Sequence, residues 1–299
     1  MVNTVCMLAM QRQERILADV RAHGAVRVTD LVADLDVSDM TVRRDIAALA
    51  RLGVVRRVHG GAVDAHQTSH ELDFAVKRTL AADHKLTIAS AALAWITPGS
   101  SIALSAGSTA HLLAELIAAD PALRPLTVVT NSLPVADTLH AASRRRGDGL
   151  DVVLTGGVRT PSDALVGPIA DAALGQLRVD RVFLGVHGLD PDGLTTPNLL
   201  EAQTDRALIC CAREVVVLAD HSKWGVVGLA RIAGLEAVDI LITDAGLPAD
   251  ARRAAGRAVG RLLLAPLLTR ASTRTCTQAS APALTPQLHP ALTPERGEP

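Results

Sequence analysis

Apolar residues in the first 35 positions recur every three or four residues, a spacing that predicts amphipathic helices. A first helix is expected over residues 11–23, with Ile16, Leu17 and Val20 on its inward face. A short second helix, DLVADL, is expected to begin after Thr29, whose hydroxyl can cap it. Two short helices in this order are typical of the first part of a helix-turn-helix unit.

Apolar and polar positions separate most clearly in a third helix, expected between Ser38 and Gly53. Ser38 can cap the first amides of this helix, and glycine commonly ends a helix. One side carries the apolar residues Val42, Ile46 and Leu49. The other side is small, polar and basic, with Met40, Thr41, Arg43, Arg44, Ala47 and Arg51. A helix that enters the major groove needs short residues near the bases and arginines near phosphates or guanine edges, so this side is expected to contact DNA.

A basic β-hairpin is expected directly after the third helix. The β-branched run at residues 54–58 contains Arg56 and Arg57, and the turn sequence HGG follows it. Between Ser38 and Val63, five arginines stand against two aspartates, although the whole chain has a formal net charge of -1. A solvated arginine face on an ordinary helix would give the same charge run, but the upstream helices favour a winged helix-turn-helix. The expected DNA-contacting residues are Ser38, Met40, Thr41, Arg43, Arg44, Arg51, Arg56, Arg57 and His59.

From Asp83 onward, short β-rich runs alternate with helix-compatible segments. Asp83 is expected to cap a helix that is stopped at Thr97. Strands are expected at residues 101–104, 126–130, 150–155, 181–184, 215–219 and 239–243, with a last helix at 249–262 and a last strand at 262–264. This alternation predicts an α/β fold in which helices cover both faces of a mainly parallel sheet.

Small and polar clusters follow the predicted strands. In open α/β sheets, ligands bind in the crevice at the carboxyl ends of the strands. Gly107, Ser108 and Thr109 stand where the first of these strands gives way to a helix, so free amides, hydroxyls and the helix dipole are expected to bind a phosphate. Lys223 is expected to add a cation near the same crevice. The expected effector-binding residues are Ser105, Gly107, Ser108, Thr109, Asn131, Gly156, Gly157, His187, Glu201, Asp220 and Lys223.

Two polar stretches divide the chain into parts. The expected parts are a DNA-binding domain at residues 10–63, a linker at 64–72, an α/β domain at 73–265 and a disordered, proline-rich tail at 266–299. His66 and His70 stand four positions apart in the linker, where they are expected to be solvated. We therefore expect no metal site.

Composition narrows the class of protein further. Hydrophobic residues make up 48% of the 299 residues, which supports a sizeable buried core. Aromatic residues make up 1%, which argues against the stacking platforms that bind single-stranded nucleic acid. The four cysteines lack metal-ligand spacing and are expected to be thiols in a reducing cytoplasm: Cys6, Cys210, Cys211 and Cys276. No apolar run approaches the roughly 20 residues of a membrane span.

The strings TVRRD and RVHGGA, within residues 12–63, resemble the deoxyribose operon repressor (DeoR) family of bacterial transcription regulators. The resemblance continues over residues 72–246 in TVVTNSLPVADTL, VVLTGGVR, LVGPIA, RVFLGVHGLDPDGLTT and VVVLADHSKWG. It implies a winged helix-turn-helix followed by a Rossmann-like α/β effector domain, similar in fold to sugar-phosphate isomerases. It also implies a phosphorylated sugar or polyol effector that weakens operator binding. Ser105 stands where the family commonly has an acidic residue, and Asp205 lies near a position where it commonly has a lysine. These departures put the ligand preference around the sugar in doubt.

The favoured function is a transcriptional regulator, a repressor of carbohydrate-metabolism genes, that binds double-stranded operator DNA. A homo-oligomer is expected, because one recognition helix covers too few base pairs for selective binding. No cofactor, metal or catalytic residue is expected. The alternative is a sugar-phosphate isomerase with an accessory DNA-binding domain, whose candidate acids and bases are Asp220, Asp244, Glu201 and His187. A third hypothesis is an architectural DNA-binding protein without a ligand.

Overall fold

The structure, a computed structural model, describes residues 9–23, 25–52, 54–58, 60–64, 74–146 and 149–266. Several residues singled out in the sequence lie outside these ranges: Cys6, Gly53, His59, His66, His70, Cys276 and the tail from residue 267 onward. Within the ranges, none of the helices is long and apolar enough to cross a membrane. The predicted domain boundaries stay predictions.

Three helices and a three-stranded sheet form the amino-terminal part. Their bounds are α1 Ala9–His23, β1 Ala25–Arg27, α2 Val28–Leu35, α3 Asp39–Arg51, β2 Val55–Val58 and β3 Gly61–Asp64. The strand order is β1-β3-β2, and both pairings are antiparallel. The predicted helix-turn-helix and two-stranded wing are confirmed, and β1 adds a third strand that the hydrophobic pattern did not indicate.

The start of α2 differs from the prediction. Thr29 is not the N-cap, because the helix begins at Val28 with Arg27 as its extended N-cap residue. The side chain of Val28 is buried, and its N–H donates to the carbonyl of Gly60 at 2.8 Å. The contact with the wing turn therefore decides where α2 begins.

A separate apolar core holds the amino-terminal elements together. Its residues are Ile16, Val20, Val28, Leu31, Leu35, Val42, Ile46, Leu49, Val55 and Ala62. Asp45 of α3 is also buried, and its carboxylate accepts hydrogen bonds from Arg12 Nε and, at 2.9 Å, from Gln13 Nε2. This buried polar contact fastens α3 to α1 and leaves the opposite side of α3 exposed.

Helices and strands alternate through the rest of the described chain. The helices are α4 Phe74–Thr79, α5 Ala82–Ala92, α6 Ser108–Ala119, α7 Leu133–Arg146, α8 Pro168–Gly175, α9 Leu199–Cys211 and α10 Ala249–Ala258. The strands are β4 Ser101–Leu104, β5 Leu126–Thr130, β6 Leu150–Leu154, β7 Val158–Arg159, β8 Leu165–Val166, β9 Val179–Gly185, β10 Gly188–Asp190, β11 Gly193–Thr196, β12 Ala212–Leu218, β13 Ala230–Ala233, β14 Ile240–Asp244 and β15 Arg261–Ala265.

A seven-stranded sheet with the order β15-β14-β12-β9-β4-β5-β6 is the centre of this part, and its neighbouring strands pair in parallel. Alternate residues of β9 enter two different cores: Phe183 packs with α5, α6 and α7, whereas Val182 and Leu184 pack with α8, α9 and α10. Both faces of the sheet are thus buried, which explains the nearly continuous apolar runs of its strands. The predicted α/β fold and its seven strands are confirmed.

Three details of the α/β part differ from the predictions. Asp83 lies in the first turn of α5, and the N-cap residue is Ala81, which has a φ of 52°. The α-helix ends at Ala92 and is followed by a single 3-10 turn, Leu93–Trp95, so helical structure ends before Thr97. Two small antiparallel sheets, β7-β8 and β10-β11-β13, follow the ends of β6 and β9 and were not indicated by the alternation of strands and helices.

Candidate DNA-contacting surface and effector site

The outer face of α3 is exposed, as the sequence predicts. Ser38 caps the helix, because its Oγ accepts a hydrogen bond from the amide of Thr41 at 3.3 Å. Met40 is 72% exposed, and Arg43, Arg44 and Arg51 are exposed as well. This face therefore combines short polar side chains with three guanidinium groups. That it contacts DNA stays a prediction.

The two arginines of the wing strand β2 point in different directions. Arg57 is exposed. Arg56 instead donates a hydrogen bond from its guanidinium to the carbonyl oxygen of Ser222, which lies in the loop after β12. Burial lowers the pKa of Arg56, while the nearby carboxylate of Asp220 opposes the shift. In this arrangement the partly exposed Arg56 binds the α/β part, a contact that the local sequence pattern did not indicate.

A crevice lies at the carboxyl ends of the central strands, where the sequence predicts the effector site. Its walls are formed by Lys77, Lys85, Ala106, Gly107, Ser108, Thr109, Asn131, Ser162, Ala164, Gly185, Val186, His187, Thr196, Glu201, Asp205, Leu218, Ala219, Asp220 and Lys223. The chain contains only three lysines among 30 basic residues, and all three line this crevice. Random surface placement of the lysines does not account for this concentration of positive charge.

The loop between β4 and α6 supplies the amide-rich end of the crevice. Gly107 has a φ of 144°, a conformation that side chains disfavour, and α6 begins directly after it without a side-chain cap. Ser108 and Thr109 form the first turn and are each 7% exposed. The loop is held by Asn131, whose Oδ1 accepts the amide of Ala106 at 3.0 Å. The positive end of the α6 dipole therefore opens into the crevice.

Lys85 is buried and Lys223 is partly buried, and the charge of Lys85 acts on Lys223. Burial lowers the pKa of Lys223 to about 7 and that of Lys85 to about 8, and Asp220 partly opposes both shifts. Lys85 donates a hydrogen bond from Nζ to the carbonyl of Lys77 at 2.6 Å. A phosphate placed among these groups would favour their charged forms, because an opposite charge nearby offsets the cost of burial.

Two carboxylates of the crevice make different contacts. Glu201 accepts hydrogen bonds from the hydroxyls of Thr160 at 2.9 Å and Thr196 at 3.2 Å, and also from the hydroxyl of Ser162. Asp220 is buried near Lys85 and Lys223, and its Oδ1 accepts the amide of Ser222 at 3.0 Å. The crevice therefore combines cations that lie near Asp220 with a carboxylate, Glu201, that binds hydroxyls.

Three residues predicted for the effector site do not line the crevice. Ser105 is fully buried, and its Oγ accepts the amide of Gly185 at 2.8 Å, so it joins the ends of β4 and β9. A side chain at Gly157 would approach the carbonyl of Val166 to 2.7 Å, which shows that this glycine allows backbone packing. Gly156, with a φ of 75°, makes the turn before it. The other eight predicted residues are among those that form the walls.

Sequence analysis did not identify Lys77, Lys85, Ser162 or Thr196 as parts of the crevice. Lys85 shares the inward face of α5 with Ile88 and Ala92, and a lysine on an apolar stripe is a signal for a buried polar contact. The hydroxyls of Ser162 and Thr196 lie on the small antiparallel sheets or their turns, which the sequence pattern did not predict.

A winged helix-turn-helix joined to an α/β domain with a cation-lined crevice defines a class of ligand-responsive DNA-binding proteins. Residues 12–68 match the DeoR-like helix-turn-helix domain, and residues 80–245 match the DeoR C-terminal sensor domain. The chain therefore belongs to the DeoR family of transcription regulators. It is a DNA-binding transcription regulator, as the resemblance in the sequence implies.

Curated relatives match over most of their own length. The transcriptional regulator GlpR of Haloferax volcanii is 34% identical over 248 residues, which span 82% of this chain and 94% of that protein. The lactose phosphotransferase system repressor of Streptococcus mutans is 33% identical and spans 78% of this chain and 91% of that protein. The glycerol-3-phosphate regulon repressor of Haemophilus influenzae is 31% identical, with shares of 78% and 88%.

Solved structures of enzymes are only distantly similar. A D-ribose-5-phosphate isomerase in complex with phospho-erythronic acid has a TM-score of 0.35 and 17% identity, over 47% of this chain and 52% of that one. Similarity at this level transfers neither the enzyme's site nor its reaction to this chain.

Proposed function

We propose that the protein is a repressor of carbohydrate-metabolism genes, acting in the cytoplasm, whose crevice binds a phosphorylated sugar or polyol. Occupation of the crevice lowers the affinity of the winged helix-turn-helix for operator DNA. The observation that carries this proposal is the convergence of all three lysines with the uncapped start of α6. The names of the relatives, a glycerol-3-phosphate regulon repressor and a lactose phosphotransferase system repressor, support the class of effector.

The two ends of the crevice match the two ends of such a ligand. Lysines and the amides of a helix start are suited to a phosphate. Asp205 lies where the hydroxyls of a sugar or polyol would donate hydrogen bonds to its carboxylate. Asp205 carries a negative charge near a position where the family commonly has a lysine, so we propose a ligand with its anionic group confined to the α6 end.

The isomerase alternative is not favoured. A general base must be within hydrogen-bond reach of the substrate carbon's proton and have a suitable pKa. Glu201 is occupied by three hydroxyl donors, and Asp220 accepts hydrogen bonds from Ser222. Asp244 is bound to His221 rather than aimed into the crevice. The carboxylates serve to hold the site together, and we propose that the protein is not an enzyme.

The contact of Arg56 with Ser222 gives the crevice a physical route to the wing. Ser222 lies between Asp220 and Lys223, which both line the crevice. A ligand that moves Lys223 or Asp220 on binding therefore also moves the carbonyl group of Ser222, to which Arg56 donates its hydrogen bond. We propose this loop, residues 220–223, as the element whose position couples effector binding to DNA binding.

A titration of the operator complex with a panel of sugar phosphates tests the effector proposal. The wild type should release operator DNA with at least one member, and Ser108→Glu should bind operator normally but resist release, because its carboxylate repels the phosphate. Gln203→Glu is the matched control, since it adds the same charge at an exposed position of α9. Equal release of the wild type and Ser108→Glu by the same sugar phosphate would place the phosphate site elsewhere.

A further inference from the structure

A cluster of nitrogen and oxygen ligands lies outside the residues that line the crevice. His84 of α5, His221 after β12 and Asp244 at the end of β14 bring one ligand atom each to within 4.8 Å of one another. Nδ1 of His221 lies 2.8 Å from Asp244 Oδ1, and Nδ1 of His84 lies 3.1 Å from the same oxygen. Three elements that are distant in the sequence thus direct ligand atoms at one point.

The carboxylate in this cluster is held in a fixed orientation. Asp244 is fully buried, its Oδ2 accepts the amide of His221 at 2.8 Å, and its Oδ1 accepts the amide of Gly246 at 2.8 Å. The cluster therefore contains a carboxylate that backbone amides hold in position between two imidazoles.

Gly246 leaves space beside these ligand atoms, because it has no side chain. A Cβ at residue 246 would lie 2.6 Å from Nδ1 of His221 and 2.8 Å from Oδ1 of Asp244. His221 and Gly246 also line an open cleft against the wing, which reaches solvent. The cluster therefore borders a cleft that is open to solvent.

We propose that His84, His221 and Asp244 bind a divalent transition metal of the zinc type. Two imidazole nitrogens and one carboxylate oxygen form a three-ligand set that leaves positions for water. Metal bonds to these atoms are roughly 2.1 Å long, so ligand atoms around a tetrahedral ion stand roughly 3.4 Å apart. The nitrogen–oxygen separations of 2.8 and 3.1 Å in the cluster would widen slightly when an ion binds. The bound ion would fix His221 and with it the loop that carries Ser222 and Lys223.

Zinc binding by the full-length, untagged chain tests this site. After removal of metal with a chelator, titration calorimetry with zinc chloride alone should show one ion per chain. His84→Ala should weaken the affinity by at least about tenfold, because even the loss of an outer-shell partner typically weakens metal binding ten- to hundredfold. His140→Ala is the matched control, since His140 is an exposed histidine of α7, and it should bind zinc like the wild type.

A second variant and a thermal unfolding measurement separate loss of the metal site from loss of the folded structure. Gly246→Ala keeps all three ligands but fills the space beside them, and it should also weaken zinc binding. Thermal unfolding without metal identifies a variant that fails to fold, and in the wild type added zinc should raise the unfolding temperature. The proposal is overturned if the wild type binds no zinc at tens of micromolar. It is equally overturned if folded His84→Ala and Gly246→Ala bind zinc as tightly as the wild type, in which case the contacts in the cluster are hydrogen bonds only.

Discussion

Neighbouring arginines on the exposed side of α3 are not equivalent. Arg43 forms an ion pair with Asp39 one turn earlier, with Nε 2.5 Å from Oδ1, and both side chains are more than half exposed. Exposed pairs of this kind contribute at most about 1 kcal/mol, so DNA can displace Asp39 at little cost. Arg44 is exposed on the same face. Both arginines are therefore available to a phosphate or a base edge.

Replacing Arg44 by Ala should lower operator affinity by about 1–3 kcal/mol if the side chain contacts a base. If Arg44 contacts a phosphate instead, the main change should be a salt slope reduced by about 1. Fluorescence anisotropy with labelled operator at several salt concentrations separates these results, and Arg43→Ala is measured in parallel.

Arg253→Ala is the control for both variants, because Arg253 is an exposed arginine of α10. It removes the same charge far along the chain from α3. Unchanged operator affinity in both Arg43→Ala and Arg44→Ala would contradict the assignment of α3 as the recognition helix.

At the scale of elements, the wing and the loop after β12 form one contact through Arg56 and Ser222. Arg57, the next residue of β2, is exposed. Strand geometry explains this difference, because successive side chains of a strand point to opposite sides. One arginine of the wing can therefore serve the α/β part while the other serves DNA.

Arg56→Gln should retain operator binding but lose part of the response to the effector, because the guanidinium that joins the wing to Ser222 is gone. Arg57→Gln should show the opposite result, with weaker DNA binding and an intact response. The measurement is the shift in operator affinity caused by a saturating effector, and by linkage the same factor should appear in effector affinity when DNA is added.

An equal effector response in wild type and Arg56→Gln would remove this contact from the coupling route. A lower salt slope in Arg56→Gln would instead return Arg56 to the set of residues that bind phosphate.

At the scale of the whole molecule, exposed apolar side chains near one edge of the sheet favour the predicted self-association of the chain. β6 is an edge strand of the seven-stranded sheet, and apolar side chains stand exposed on it and after it. Their exposed fractions are 40% for Val153, 42% for Leu154, 60% for Val158 and 67% for Ile169. Apolar groups gathered at a sheet edge are typical of an interaction surface.

Sedimentation of the full chain at micromolar concentration should show at least a dimer, as selective operator binding requires. Ile169→Asp should shift the protein to a smaller species, because a charge would be buried in the interface. Val227→Asp is the control, at a position that is 49% exposed and lies in the segment between β12 and β13. A monomeric wild type would contradict the predicted homo-oligomer, and an unchanged Ile169→Asp would place the interface elsewhere.

The sequence by itself determined the elements whose signals are local. The cap at Ser38 and the stripe of Val42, Ile46 and Leu49 are relations within a few residues, and they predicted α3 correctly. The alternation of strands and helices predicted the parallel sheet for the same reason. The place of the Gly107 loop in the crevice also followed from its position between a strand and a helix, because the crevice of a parallel sheet lies at the carboxyl ends of its strands. That this loop binds phosphate stays a prediction.

Only the tertiary structure decided which distant residues meet. Lys85 joins Lys223 in the crevice because α5 packs against α6 and β14, and no periodicity in the sequence records that packing. The strand order brings His221 and Asp244 together, because β12 and β14 are neighbours in the sheet although β13 lies between them in the chain. Ser105 is the converse case. Its position in the sequence predicted a ligand contact, but its side chain is buried and its Oγ accepts a hydrogen bond from the backbone amide of Gly185. The spacing of residues along the chain indicates which of them lie on the same face of a helix or strand. Strand order and helix packing determine which other elements that face contacts.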